Sequence, residues 1–254
     1  MHPLRSFFDY QAYWIRRHKQ EKMSLRSVGY LRFSDRTNAL MYRKVQEILE
    51  KALHDRNINL KNKKVLDAGA GIGLYASFYL AHGAHLTSID ISSDALAILH
   101  QRFPEVIIHV SSLENLTKLG LGTFFIVHCF DVLYHITDDR AYVKALDALC
   151  NATGNYLIVH DVPQSKQGRF LKFFKKDHVK FTRDKFNLTD HIKNNGLVEV
   201  GYYPTHLLFT RFPLDIFVNL LPYPFYLLDK FLLSIIKIRG LETSCIRIFK
   251  RYRA

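Results

Sequence analysis

The residues with the clearest chemical potential form one short run, Val65-Leu66-Asp67-Ala68-Gly69-Ala70-Gly71-Ile72-Gly73. Three glycines at alternate positions suit a backbone that takes positive φ and lets a ligand approach closely. The run follows a short apolar stretch and precedes a helical pattern, the strand-to-helix turn where open α/β sheets bind ligands. Asp90 lies 21 residues after Gly69, at the end of the next apolar stretch. A carboxylate there can accept both hydroxyls of an adenosine ribose. The spacing fits two ligand classes. A dinucleotide would set its pyrophosphate at the helix N-terminus. Here, however, the glycines follow Asp67, and an acid beside a phosphate is repulsive, so a ligand that presents an amine fits better.

The elements that must position these residues are legible in the pattern. Val65–Ala68, His85–Ile89, Val106–Val110, Phe124–Cys129 and Tyr156–His160 read as strands, and the fourth is a continuous apolar run of the buried parallel type. Helices are expected from about Gly73 to His82, from a Ser92 or Ser93 cap to Arg102, and after a Thr137 cap with Asp138 and Asp139 in its first turn. Alternating strands and helices imply βαβ units and a parallel sheet covered on both faces. Residues 37–54 and 183–195 read as further helices, Gly196 ending the latter, and 197–203 and 245–252 as two more strands. Between those strands, 212–238 holds 18 apolar residues out of 27. Pro213, Pro222 and Pro224 interrupt it, so it is not one helix. Its second half sets Leu227, Leu228, Phe231, Leu232, Ile235 and Ile236 on one helical face.

Composition narrows the partners. The 254 residues carry a net charge of +13. Residues 1–64 and 161–254 each have net +9, around a central block of −5. Basic flanks suit a phosphate, nucleic acid or an anionic membrane surface. Cys129, Cys150 and Cys245 have no CxxC spacing, which argues against a disulfide scaffold or structural zinc and fits a reducing, cytoplasmic compartment. No uncharged run is long enough for a spanning helix, and the N-terminus lacks a signal-type apolar core.

Several motifs in order, over roughly residues 60–203, resemble the class I S-adenosylmethionine-dependent methyltransferases. VLDAGAGIG resembles that family's first motif, and SIDIS its second. The resemblance implies an α/β fold with a seven-stranded, mostly parallel Rossmann-like sheet and helices on both faces. It also implies a helical N-terminal lid over 1–58, a domain over 59–254, and an apolar helical insertion at about 205–244. It assigns S-adenosylmethionine as cofactor, held by Asp67, Gly69, Gly71, Gly73, Asp90, Ile91, Leu113 and Phe130. Ser112 stands where the family commonly has an acid for the adenine amino group. The YWxxR spacing of Tyr13, Trp14 and Arg17 is similar to the lid of small-molecule methyltransferases, in which Arg17 or Tyr13 would bind the cofactor carboxylate; an anchoring role for Tyr13 and Trp14 fits equally.

Methyl transfer to oxygen needs a positioned nucleophile, a base and a dry site. His135, after the fourth strand, is the first candidate base because histidine titrates near neutral pH. Asp161, after the fifth strand, is the alternative. Asp131 and Tyr134 share the His135 loop, His160 is expected to face sheet packing, and His178 opens a segment that borders substrate in this family. No His/Asp/Glu group has metal-ligand spacing, so no metal is expected.

The expected function is O-methylation of a small molecule, glycan or lipid-linked intermediate. An RNA methyltransferase, a NAD-dependent oxidoreductase and a non-catalytic binding protein of the same fold are the alternatives. Basic residues over 164–186 beside the apolar insertion fit peripheral contact with the inner face of a membrane through 212–238; a homodimer interface or a wall over the substrate fits the insertion too. Nucleic acid is disfavoured, for want of a base-flipping motif or an appended RNA-binding module.

Overall fold

In a computed structural model, residues 9–161, 187–209, 214–236 and 241–252 are described. Seven strands form one sheet: β1 (Lys64–Ala68), β2 (His85–Asp90), β3 (Ile107–Val110), β4 (Phe124–Phe130), β5 (Thr153–Asp161), β6 (Leu197–His206) and β7 (Ser244–Arg251). Their order is β3-β2-β1-β4-β5-β7-β6. The first five pair in parallel, and β7 runs antiparallel to both β5 and β6. The C-terminal ends of β1, β2, β4, β5 and β6 therefore share one edge.

Eight helices flank the sheet among the described residues: α1 (Tyr10–Glu21), α2 (Asp35–Asp55), α3 (Ala76–Ala81), α4 (Ser93–Arg102), α5 (Asp139–Ala152), α6 (Leu188–Asn194), α7 (Leu214–Leu220) and α8 (Pro222–Ile235). Strand alternation sends successive side chains to opposite faces. Leu66, Val127, Leu157 and Val159 meet Leu146 and Leu149 of α5 and Ile192 of α6. Val65, Ile126, Ile158 and Ile248 meet Val45 and Leu49 of α2, Tyr79 of α3 and Leu99 of α4. α2 thus shares the main core, while α1 lies against α4 and packs Tyr10 on the other core cluster.

Caps follow side-chain chemistry. Ser92 caps α4 by accepting from the Ala95 N–H at 3.2 Å. For α5 the expected cap moves by one residue: Asp138, not Thr137, accepts from the Ala141 N–H at 2.7 Å, a carboxylate being the stronger acceptor at a helix N-terminus. Gly196 ends α6 with φ +78°.

The prolines divide the apolar stretch as expected, with Pro222 in the first turn of α8. The orientation of α8 is the reverse of a core helix. Leu227, Leu228, Phe231 and Ile235 are exposed, whereas Asp229 is fully buried. Beneath the two helices Phe33, Phe209, Val218 and Tyr226 form a small separate core. No described helix is long and apolar enough to cross a membrane.

Candidate active site

The turn after β1 and the end of β2 build one wall of a cleft. Gly69, Gly71 and Gly73 all have positive φ, +89°, +53° and +79°. At Gly71 a Cβ would meet Val28 Cγ1 at 2.6 Å, and at Gly69 it would overlap Val132. Side chains are therefore excluded both by backbone conformation and by space.

Asp67 is buried beside this turn. The β1–β4 register sets it opposite His128, whose Nδ1 lies 2.9 Å from Asp67 Oδ1. Asp67 Oδ2 is buried with no hydrogen-bond partner, and Asp67 lines the cleft. A buried, unsatisfied carboxylate oxygen calls for a cationic or N–H-bearing ligand. Asp90 is also buried. Its Oδ2 accepts from the Gly71 N–H and its Oδ1 from the Ser92 N–H, both at 2.9 Å. These bonds tie the glycine turn to the end of β2 and aim the carboxylate, whose remaining lone pairs stay free for a ligand. Burial raises the Asp90 carboxyl above its usual range.

The opposite wall is the N-terminal helix. Tyr10, Trp14 and His18 of α1 line the cleft at one-turn spacing, joined by Val28. Both ring nitrogens of buried His18 lack partners, and burial lowers its pKa. Arg17 and Tyr13 do not line the cleft. The Arg17 guanidinium donates to the carbonyls of Arg26 (2.9 Å from Nε) and Gly29, and stacks on Trp14 at 4.7 Å. It fixes the lid. The Tyr10 hydroxyl and Gln11 amide both donate to Glu114 Oε1 at 2.8 Å, latching α1 across the cleft.

On the cofactor side, Ile91, Leu113 and Phe130 line the cleft. Ser112 does not; its hydroxyl accepts from the Asn115 amide at 2.9 Å. Glu114, two residues on, does line it, with Oε2 buried and unpartnered. An acid two residues after Ser112, on the 3-10 turn, thus faces the cleft. Sequence reasoning missed Glu114 because a carboxylate in SSLENL reads as a solvated side chain. It missed His128 as a lone histidine in an apolar strand; the Asp67 opposite it in register was the available signal.

Where chemistry would occur, Asp131, Val132, His135 and Ile136 line the cleft. Asp131, just past β4, has φ +59°, rare for a non-glycine residue and a mark of functional sites. Its Oδ1 accepts from the Tyr134 hydroxyl at 2.9 Å and lies 2.9 Å from His160 Nδ1. His160 Nε2 meets Thr205 Oγ1 at 2.9 Å. Tyr134 and Asp161 are not among the lining residues, so of the three proposed reacting groups only His135 lies in the cleft. Its ring packs on Trp14 at 4.6 Å, between strand loop and lid. His178 and the basic run 164–186 lie outside the described residues. Among the described residues no group of three His, Cys, Asp or Glu side chains could hold a metal ion.

The cleft fits S-adenosylmethionine in its donors and acceptors: the orphaned Asp67 oxygen for a cationic centre, Asp90 for ribose, Glu114 for an amino group, and a glycine turn that a Cβ would fill.

Comparison with known proteins agrees. The chain is 36% identical over 104 residues to a ubiquinone biosynthesis O-methyltransferase of Aromatoleum aromaticum, covering 39% of this chain and 44% of that protein. The corresponding protein of Chromobacterium violaceum is 33% identical over 104 residues, with 39% and 45% covered. The chain thus spans less than half the length of these curated relatives. Magnesium protoporphyrin IX methyltransferase from Synechocystis PCC 6803, solved with bound SAH, shares the fold with a TM-score of 0.66 at 16% identity, covering 95% of this chain and 98% of that one. The N-methyltransferase NodS from Bradyrhizobium japonicum WM9 follows with a TM-score of 0.54 at 14% identity, with 84% and 97% covered. A family model described as "Methyltransferase domain" matches residues 35–200. The chain belongs to that family, the S-adenosylmethionine-dependent methyltransferases.

Proposed function

We propose that this protein is an S-adenosylmethionine-dependent O-methyltransferase whose acceptor is a hydroxyl on a lipid-linked small molecule. The observation that carries the reading is one lidded cleft that holds both the Asp67–Gly69–Gly71–Asp90 cradle and the Asp131–His135 loop.

When bound, the cofactor supplies an electrophilic methyl group on a sulfonium. Asp67 Oδ2 would offer an acceptor to its cationic part, Asp90 would take the ribose hydroxyls, and Glu114 would meet the adenine amino group. His135 accepts the proton of the acceptor hydroxyl at a ring nitrogen. Asp131 orients that hydroxyl and is itself held by Tyr134 and His160. Trp14 closes over His135 and excludes water, which would otherwise compete as nucleophile. The curated relatives are named for O-methylation in ubiquinone biosynthesis, which favours oxygen as the acceptor atom.

The test is methyl transfer from S-adenosylmethionine to a phenol bearing an isoprenoid tail and to its untailed counterpart. His135→Ala should lower kcat by about 10²–10⁴-fold, as expected for loss of a general base. The SAH dissociation constant should stay unchanged. Unaltered turnover in that variant removes His135 from the chemistry.

A further inference from the structure

We propose that His18 of the lid helix α1 binds the cofactor's ribose together with Asp90, so that cofactor occupancy seats the lid over the reacting end of the cleft. The inference deepens the methyltransferase reading above and rests on it.

His18 is 3% exposed, lines the cleft, and leaves both Nδ1 and Nε2 without a hydrogen-bond partner. A polar ring buried in that way costs free energy until something hydrogen-bonds it. Its neighbours on α1 do not. Arg17 gives its guanidinium to the Arg26 and Gly29 carbonyls, and Trp14, one turn back, meets His18 ring to ring at 5.7 Å. The missing partner therefore belongs in the cleft.

Electrostatics says which part of the cleft. The acids whose charge reaches His18 are Asp90 and Asp94, opposed by Arg17. Asp90 ends β2, Asp94 lies in the first turn of α4, and α1 packs on α4. His18 thus faces the strand end where Asp90 is aimed. A carboxylate of the ligand would be repelled there by both acids, whereas hydroxyls suit the pair. Burial lowers the His18 pKa, which favours the neutral ring, with one N–H donor and one acceptor nitrogen. A ribose hydroxyl that donates to Asp90 still has lone pairs to be satisfied. An ionised carboxylate has no proton to give them, and the His18 N–H does.

The helix carries this contact to the chemistry. At one-turn spacing along α1, Tyr10 donates to Glu114 after β3 at 2.8 Å, Trp14 packs on His135 after β4 at 4.6 Å, and His18 faces the end of β2. A bond to His18 that forms only with α1 in place makes the cofactor prefer the seated lid. By reciprocity the cofactor then stabilises the seated lid by the same factor. Trp14 comes with it, so the cover over His135 is set by the cofactor and not by the acceptor.

The test is titration calorimetry of the full chain with SAH and with methylthioadenosine, which keeps the adenosine and the sulfur but lacks the amino-acid end. His18→Phe keeps a ring against Trp14 and loses both nitrogens. It should weaken both ligands by the same factor, about three- to tenfold, as expected for one hydrogen bond. His18→Gln keeps a donor and an acceptor and should bind within about twofold of the wild type. Amide hydrogen exchange of α1 should slow when methylthioadenosine binds the wild type, and slow less in saturated His18→Phe. The inference is overturned if His18→Phe binds methylthioadenosine as the wild type does, which would leave His18 a packing partner of Trp14. It is overturned equally if only SAH is weakened, if His18→Gln binds no better than His18→Phe, or if α1 exchange ignores methylthioadenosine. Should His18→Phe not fold, the ring-nitrogen NMR signals of His18 in the wild type decide: they must move on adding methylthioadenosine, and unmoved signals overturn the inference. A wild type that binds no SAH fails the methyltransferase reading itself; one that binds SAH beside an unaffected His18→Phe fails this inference alone.

Discussion

Replacing Asp90 by alanine probes both the architecture of the cradle and its ligand. The carboxylate accepts two backbone N–H groups, from Gly71 and Ser92, at 2.9 Å each. Removing it leaves both donors unpaired at the cleft wall. At about 1 kcal/mol net for each lost bond, the fold should lose about 2 kcal/mol. In a domain of this size that lowers Tm by about 4–8 °C. The effect on cofactor binding is separate. Two ribose hydroxyls donating to a charged acceptor contribute about 1.5–3 kcal/mol each, so a loss of at least about 2 kcal/mol is expected even after partial replacement by water. That corresponds to about a 30-fold rise in the SAH dissociation constant. Titration calorimetry well below the lowered Tm reads the binding effect alone. An unchanged dissociation constant in a folded variant would refute the assignment of Asp90 to ribose, and with it the orientation of the cofactor.

Other perturbations test neighbouring parts of the argument. Lys44→Met should destabilise the protein by about 3–5 kcal/mol, because it leaves Asp229 buried without its cation, as denaturant unfolding would measure. Gly71→Ala combines a strained φ of +53° with a 2.6 Å approach to Val28, and should abolish SAH binding before it abolishes folding, read by calorimetry beside circular dichroism. His206 gives a pH dependence. Burial is the main reason that its pKa falls from 6.5 to about 4. A lowered folded-state value means that its stabilisation is fully present above pH 6.5 and is lost as the pH falls toward 4. That lowering corresponds to on the order of 3 kcal/mol. Across that window the wild type should lose stability relative to His206→Gln as the pH falls, since the variant has no ring to protonate; parallel melting curves would show that His206 does not titrate there.

The sequence was most legible where local rules and tertiary context agree. The β1 turn announces itself because only glycine tolerates its conformation, and Asp90 follows one strand–helix–strand unit later. His135 was put forward from its place after an apolar strand, and it lines the cleft. Tyr134 and Asp161 were reasonable on the same ground, but position after a strand does not decide which way a side chain points. Tyr134 donates its hydroxyl to Asp131 and does not line the cleft. Arg17 looked like an anion binder, but the carbonyls of Arg26 and Gly29 took up its guanidinium.

By itself, then, the amino-acid order determined the sheet, its parallel run, the cofactor turn and the division of 212–238 by proline, because these depend on periodicity and on backbone chemistry within a few residues. Only the tertiary structure decided which acid faces the cleft beyond β3, what Arg17 holds and which side of α8 faces out. Those outcomes depend on partners distant in sequence, Tyr10 for Glu114 and Lys44 for Asp229. In α8 the apolar periodicity does not decide the inward face: the buried Asp229, paired with Lys44 and accepting the Leu207 and Leu208 N–H groups, sets it.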